Sequence, residues 1–186
     1  MVIGLLVGML RLSRNWLLAT IGKAYIGALR NTPILVQLIW VYYCLPILIG
    51  IDMDSMTSCI VALSLHGGAY VGEIIRGGIQ SIDRGQVEAA RTVGLSYLQT
   101  MRKVVLPQAL RRMIPPLVNE GVTLLKYSSL VSVLGVADLT YNAQVLATTT
   151  FRPLEIFTFL AIEYLVLCMI LSYGASLIER RLAVAD

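Results

Sequence analysis

The residues of this chain that could do chemistry sit inside stretches that are otherwise apolar. His66, Tyr70 and Glu73 recur at i, i+4 and i+7, the spacing that places side chains on one face of a helix. Asn119, Thr123 and Lys126 repeat that spacing, and Glu120 lies about 120° round the helix from Lys126. Glu163 stands in another apolar run. Ionisable groups at membrane depth are costly, so they mark either polar solute paths or polar contacts between helices. A zwitterion needs a cation for its carboxylate and an acceptor for its ammonium group; Lys126 and Glu120 are the candidates on their helix. Two readings of His66 and Tyr70 stay open, a stripe lining a path and a packing face whose polar groups satisfy one another. Lys126 and Glu120 have the same pair of readings, the second being a charge pair closed by another helix. Glu163 could pair with Lys126 or select a cationic solute. Glu73, three residues before Arg76, reads as structural.

Several chemistries are excluded. No phosphate-binding GxxxxGK[ST] occurs: the one Gly-Lys pair, Gly22-Lys23, is followed by Ala24 and has Leu17 where the first glycine should stand. A single histidine and no His/Cys cluster leave no metal site. Cys44, Cys59 and Cys168 are far apart in apolar runs and read as packing residues. The lone His66 has no nucleophile or base partner, which argues against a membrane enzyme.

The elements that must position these groups are membrane helices. Of 186 residues 57% are hydrophobic and 14% charged, with a mean hydropathy of +0.77; soluble domains carry roughly a quarter charged residues. Apolar runs predict spans at residues 31–51, 55–72, 113–137 and 154–178, each near the ~20 residues that cross a bilayer. The first ten residues read as the second half of a further span. Thirteen of the 15 basic residues fall in alternate connections, against Arg152 alone on the other side and Lys126 within a span. The positive-inside rule makes those thirteen cytoplasmic, and the C-terminus with them. The net charge of +4 is therefore a topological bias and not a nucleic-acid footprint. Residues 15–30, with Trp16, Tyr25 and flanking cations, read as an interfacial elbow helix, and Pro33 suits an early position of the next helix.

The connection from Arg76 to Arg112 stays on one side of the membrane. Asp83 can cap a short helix that Gly94 ends in the left-handed conformation. Ser96 and Gln99 form a capping box for a second helix. Pro107, and then Pro115 with Pro116, should kink or stop it. Two short projecting helices with a sharp turn are expected, and Ala89, Ala90 and Gly94 give them a small-residue surface.

Glu88-Ala89-Ala90, Gly94, Val104 and Leu106-Pro107 resemble the EAA motif of ABC importer permeases, with Val104 where isoleucine is usual. RNTPILVQL at 30–38, SSLVSVLGVADL at 128–139 and FRPLE at 151–155 resemble the polar amino acid branch, of histidine, glutamine and glutamate type. Tyr127 and Glu163 depart from that pattern, which usually has an acidic and an apolar residue there. The resemblance implies one all-α integral membrane domain over residues 1–186, a five-span type I importer permease fold with its first helix incomplete at the N-terminus. It implies residues 84–112 as the cytoplasmic coupling loop, with Glu88, Ala89, Ala90, Gly94, Leu106 and Pro107 meeting a partner ATPase. The chain itself would bind no cofactor and hydrolyse no ATP. Its partners would be ATP-binding cassette subunits, a second permease chain, an extracytoplasmic amino acid-binding protein and the bilayer, with no nucleic acid. The location implied is the bacterial cytoplasmic membrane, and the function import of polar amino acids. An ion-gradient-driven carrier would need inverted repeats and broken helices, and no repeat is evident; a truncated, inactive permease is the other alternative.

Overall fold

The computed structural model describes residues 1–13 and 15–183, and every regular element among them is helical. Arg14, one of the thirteen alternating charges, lies outside the described residues, and Arg180 and Arg181 are described in backbone only. The helices are α1 (Val2–Leu12), α2 (Trp16–Arg30), α3 (Ile34–Tyr43), α4 (Leu45–Ile49), α5 (Ser55–Gln80), α6 (Arg84–Thr92), α7 (Tyr97–Thr100), α8 (Leu106–Ser128), α9 (Leu139–Thr150) and α10 (Pro153–Ala183). A π-helical turn, Met101–Val105, joins α7 to α8, and a 3₁₀ segment, Ser129–Leu134, follows α8.

Helix α5 is the hub, packed by α1, α2, α3 and α8, while α10 leans on α8 and α9. Missing side chains make this possible. A β-carbon on Gly4 would stand 2.5 Å from Val71 Cβ, and one on Gly78 would stand 2.3 Å from Met113 Cγ. Small residues let membrane helices approach until van der Waals contact holds them, in place of a hydrophobic drive that lipid does not supply. Leu38, Val41, Cys59, Ala62 and Val131 close one core between α3, α5 and the 3₁₀ segment. Ile82, Val105, Ala109 and Met113 close a second at the opposite end of α5.

All five apolar segments are helical. α5 and α10 are each long and apolar enough to cross a membrane; the helix Tyr97–Leu134 qualifies together with α9, at a bend of 48°; α1 and α3 are apolar but shorter. Four expectations need correction. The segment 31–51 is not one helix: it breaks at Cys44, because Pro46 starts α4. Cys44 is consequently exposed and Cys168 only half-buried, so only Cys59 is a buried packing residue. Pro33 is the N-cap of α3 and not yet helical. The prolines at 107, 115 and 116 do not stop the chain, which stays helical from Tyr97 to Leu134. In the π turn the Leu106 N–H reaches the Met101 carbonyl, one residue beyond α spacing, and Pro107 then occupies the first turn of α8, where no donor is needed. Packing around α8 carries it through Pro115 and Pro116.

The long connection is also shorter than read. α5 runs on through Arg76 to Gln80 and α8 absorbs residues 106–112, so only 81–83 and 93–96 are non-helical. Conversely, 139–150, read as plain connection, is a helix: the Asp138 carboxylate accepts from Tyr141 N–H at 2.8 Å, and Phe151 ends it at φ 55°.

Candidate functional site

Three groups of residues carry the chemistry, and the first is the elbow formed by α6 and α7. The Asp83 carboxylate caps α6 through Gly85 N–H at 2.6 Å. Gly94 turns the chain at φ 82°, a left-handed conformation that costs an L side chain roughly 1–2 kcal/mol. Ser96 and Gln99 then exchange both bonds of the capping box, at 3.4 and 2.9 Å. Glu88, Ala89 and Gly94 are exposed, Pro107 is exposed and Leu106 half-buried. Ala90 differs from the expected contact surface: it is buried, and its carbonyl accepts from Leu95 N–H at 3.1 Å, so it seats α6 against the following turn. The tip carries three large apolar side chains in the open, Val93, Tyr97 and Leu98. Sequence reasoning passed over them, although the N-terminal signal at Ser96 placed Tyr97 and Leu98 on the first turn of a short solvent-facing helix. The elbow is fixed at its base: Ile82 and Val87 join the core with Val105 and Met113, and Arg112 donates to the Ser81 carbonyl. A push on the tip is therefore delivered to α5 and α8 together.

The second group surrounds His66, which is 3% exposed. Gln37 Nε2 faces the Leu29 carbonyl at 2.7 Å, the Thr32 carbonyl at 3.0 Å and Thr32 Oγ1 at 2.8 Å. Carbonyl oxygens can only accept, so the amide orientation is fixed and Gln37 Oε1 faces His66 Nδ1 at 3.0 Å. His66 must then carry its proton on Nδ1, leaving Nε2 a buried acceptor with no partner among the described residues. The ring packs against Tyr70, with centroids 5.0 Å apart, and meets Tyr127 edge-on at 5.4 Å. Arg30 lies over the far side of this cluster, its guanidinium carbon 5.1 Å from the Tyr70 centroid. Gln37 and Arg30 were not singled out as site residues, yet a lone amide within ILVQLIWVYY was a readable signal. Glu73 is occupied: Arg76 Nε donates to its Oε2 at 3.0 Å, an i, i+3 pair on α5.

The third group is on α8. Arg112, Pro116, Asn119, Thr123 and Lys126 follow one helical stripe, and all are exposed except the half-buried Thr123, whose hydroxyl donates to the Asn119 carbonyl at 3.0 Å. Glu120 lies on the flank of this stripe, about 60° round α8 from Thr123 and about 120° from Lys126. It is 8% exposed, and its Oε1 is buried without a hydrogen-bond partner. Glu120 and Lys126 therefore do not pair. Glu163 is half-buried on α10 and makes no ion pair with Lys126 among the described residues. The candidates are thus divided between an exposed stripe and a buried cluster, with no group of three or more His, Cys, Asp or Glu side chains able to hold a metal ion among the described residues.

A sequence profile described as the binding-protein-dependent transport system inner membrane component matches residues 1–184. The chain belongs to this family. The glutamine transport system permease protein of Escherichia coli (strain K12) is 40% identical over 185 residues, covering 99% of this chain and 84% of the relative. The arginine transport system permease protein of Bacillus subtilis (strain 168) is 37% identical over 186 residues, covering 100% and 85%. The crystal structure of an amino acid ABC transporter with histidines matches with a TM-score of 0.91 at 38% identity, over 97% of this chain and 84% of that one. An inward-facing methionine ABC transporter shares the fold, with a TM-score of 0.78 at 23% identity over 97% and 86%. As a member of the family the chain is a permease, an inner-membrane transport subunit of an ABC system, and not an enzyme. Its all-helical architecture is that of a type I ABC importer permease.

Proposed function

We propose that this chain forms the translocation path of an ATP-driven importer of polar amino acids, working with two ATP-binding subunits, a second permease chain and an external amino acid-binding protein. One observation carries the reading. The helix that runs unbroken from Tyr97 to Leu134 has the elbow at its start and the polar stripe of Asn119, Thr123 and Lys126 along its membrane portion. A polar stripe at membrane depth is not stable against lipid, so it faces water or a second permease. Relatives named for glutamine and arginine support the substrate class.

In this reading the elbow and the C-terminus are cytoplasmic. Glu88, Ala89 and Gly94 seat in a partner ATPase beside Val93, Tyr97 and Leu98, with Leu106 and Pro107 at the hinge. ATP-driven closure of the partners tilts α5 and α8 through the Ile82–Met113 core, biasing the bundle between outward and inward access. Asn119, Thr123 and Lys126 line the path, with Glu120, His66, Tyr70 and Glu163 behind or beside it. The test is reconstitution with the partner ATPase and binding protein in proteoliposomes. Uptake of at least one labelled polar amino acid, dependent on internal ATP and on the binding protein, is expected. Uptake that follows an ion gradient without ATP would overturn the reading.

A further inference from the structure

The first turns of α10 carry an apolar groove of about 590 Å³, lined by Pro153, Leu154, Phe157, Thr158 and Ala161. Thr158 is the one polar residue of the lining, and its hydroxyl donates to the Leu154 carbonyl at 2.6 Å, so the O–H is spent on the helix's own backbone. The groove therefore has no unpaired donor that would need water or a protein partner, unlike the stripe of Asn119, Thr123 and Lys126 on α8. It is shallow and covers one side of whatever lies in it. Pockets for free solutes enclose most of the solute's surface. A one-sided apolar groove suits a hydrocarbon chain whose other side is met by lipid. Its surroundings agree: the span Pro153–Ile178 has the highest mean hydropathy of the candidate spans, and its best window is 0% buried.

Two opposite charges stand at the head of the groove. Arg152 and Glu155 meet at 3.5 Å, with 70% and 67% of their side chains exposed. A single long contact between exposed side chains contributes little to the fold, and both charges are accessible to a ligand that carries their complements. Glu155 lies about 60° round α10 from Thr158, so the pair adjoins the groove. Charge pair first and apolar groove next is the order of a phospholipid read from head to tail. The guanidinium fork matches phosphate oxygens, and the Glu155 carboxylate can accept from an ammonium group. A head group without a cation would set its phosphate beside Glu155 uncompensated, and a quaternary ammonium has no N–H to donate.

We propose that the start of α10 holds one phospholipid of the phosphatidylethanolamine class, with its phosphate on Arg152, its primary ammonium on Glu155 and an acyl chain in the groove of residues 154–161. In the topology proposed above this lipid belongs to the outer leaflet. The site follows α9, at the end of α8 remote from the elbow, so lipid retention is its readout, and uptake and ATPase rate are not.

The test is native mass spectrometry of the purified permease–ATPase complex. It is titrated with phosphatidylethanolamine, phosphatidylcholine and phosphatidylglycerol of one acyl composition, and with phosphoethanolamine as the head group alone. The wild type retains phosphatidylethanolamine at least fivefold more tightly than the other two lipids and does not retain phosphoethanolamine. Glu155→Gln brings phosphatidylethanolamine within twofold of phosphatidylcholine. Arg152→Gln weakens all three lipids at least threefold, and Arg152→Lys restores most of that loss. Ala161→Phe fills the groove and weakens all three while keeping their order. Arg152, Glu155 and Ala161 are exposed, so each variant assembles with the ATPase as the wild type does. Equal retention of the three lipids by the wild type overturns the assignment, as does a preference that survives Glu155→Gln. Retention of phosphoethanolamine as tight as that of the lipid overturns it too, by reducing the site to the charge pair. So does a Phe157→Cys variant that crosslinks to another protein of the assembled importer, because the groove is then a protein interface.

Discussion

Among the described residues α5 and α10 are the two helices individually long and apolar enough to cross a bilayer, and they are used in opposite ways. The best window of α5 has a mean hydropathy of 1.4 and is 50% buried; that of α10 reaches 2.2 and is 0% buried. In a soluble protein the more apolar helix would be the core. In a membrane the lipid is as apolar as leucine, so burial is decided by close packing and by polar groups that need partners. α5 has both, the glycines at 67, 68, 72 and 78 and the cluster around His66. α10 has Phe157, Phe159, Leu165, Met169 and Ile170 turned outward, where lipid suffices.

The harshest way to break this comparison is a substitution at the closest approach. Gly78→Leu drives a side chain into Met113 and should abolish recovery of folded, monodisperse permease. Ile170→Ala on α10, at 62% exposure, should shift stability by no more than about 0.5 kcal/mol; thermal unfolding in detergent reads both. Equal sensitivity of the two sites would mean that α10 is as embedded as α5.

Exposure has a second meaning at the elbow, which lies beyond the apolar segments and shows charged and apolar side chains together. Glu88→Lys, or Gly94→Asp at φ 82°, should cut uptake and ATPase stimulation at least tenfold while assembly of the bundle is unchanged. The same reversal of charge at Glu155, exposed at the start of α10, should leave both within twofold. A comparable loss at Glu155 would remove the distinction between a partner face and an ordinary surface.

Smaller effects separate the polar contacts of the two helices. A double-mutant cycle between Gln37→Ala and His66→Ala should give a coupling of about 0.6 kcal/mol and no more than about 1.7 kcal/mol, the mean and the maximum measured for interhelical hydrogen bonds in a bilayer. Tyr164→Phe removes the longer 3.2 Å contact of α10 with Thr140 and should cost about 0.5 kcal/mol. A coupling near zero for Gln37–His66 would reduce that cluster to geometry without energetic weight.

The elbow was legible in sequence because its determinants are local. Asp83, Gly94, Ser96 and Gln99 act within four residues, and each performs the predicted role. α9 was missed although Asp138 signals its start: its Thr148–Thr150 run reads as loop until their hydroxyls are seen bonding back to carbonyls one turn earlier. The prolines misled for a related reason. Their local penalty is real, but a π turn and the surrounding helices absorb it, and neither can be read from the residue itself.

By itself the sequence determined the membrane class, the alternation of basic connections, the caps and turns, and the spacing that carries the family resemblance. All are properties of composition or of neighbours within one helical turn. Tertiary structure decided that Ala90 is buried, that Glu120 is buried while Lys126 is exposed, that Gln37 sets the tautomer of His66, and that Arg30 lies on Tyr70. The last two join residues 29 and 40 positions apart in the chain, where the side-chain pattern of each helix is compatible with many neighbours. Only the packing of glycine against side chain selects one.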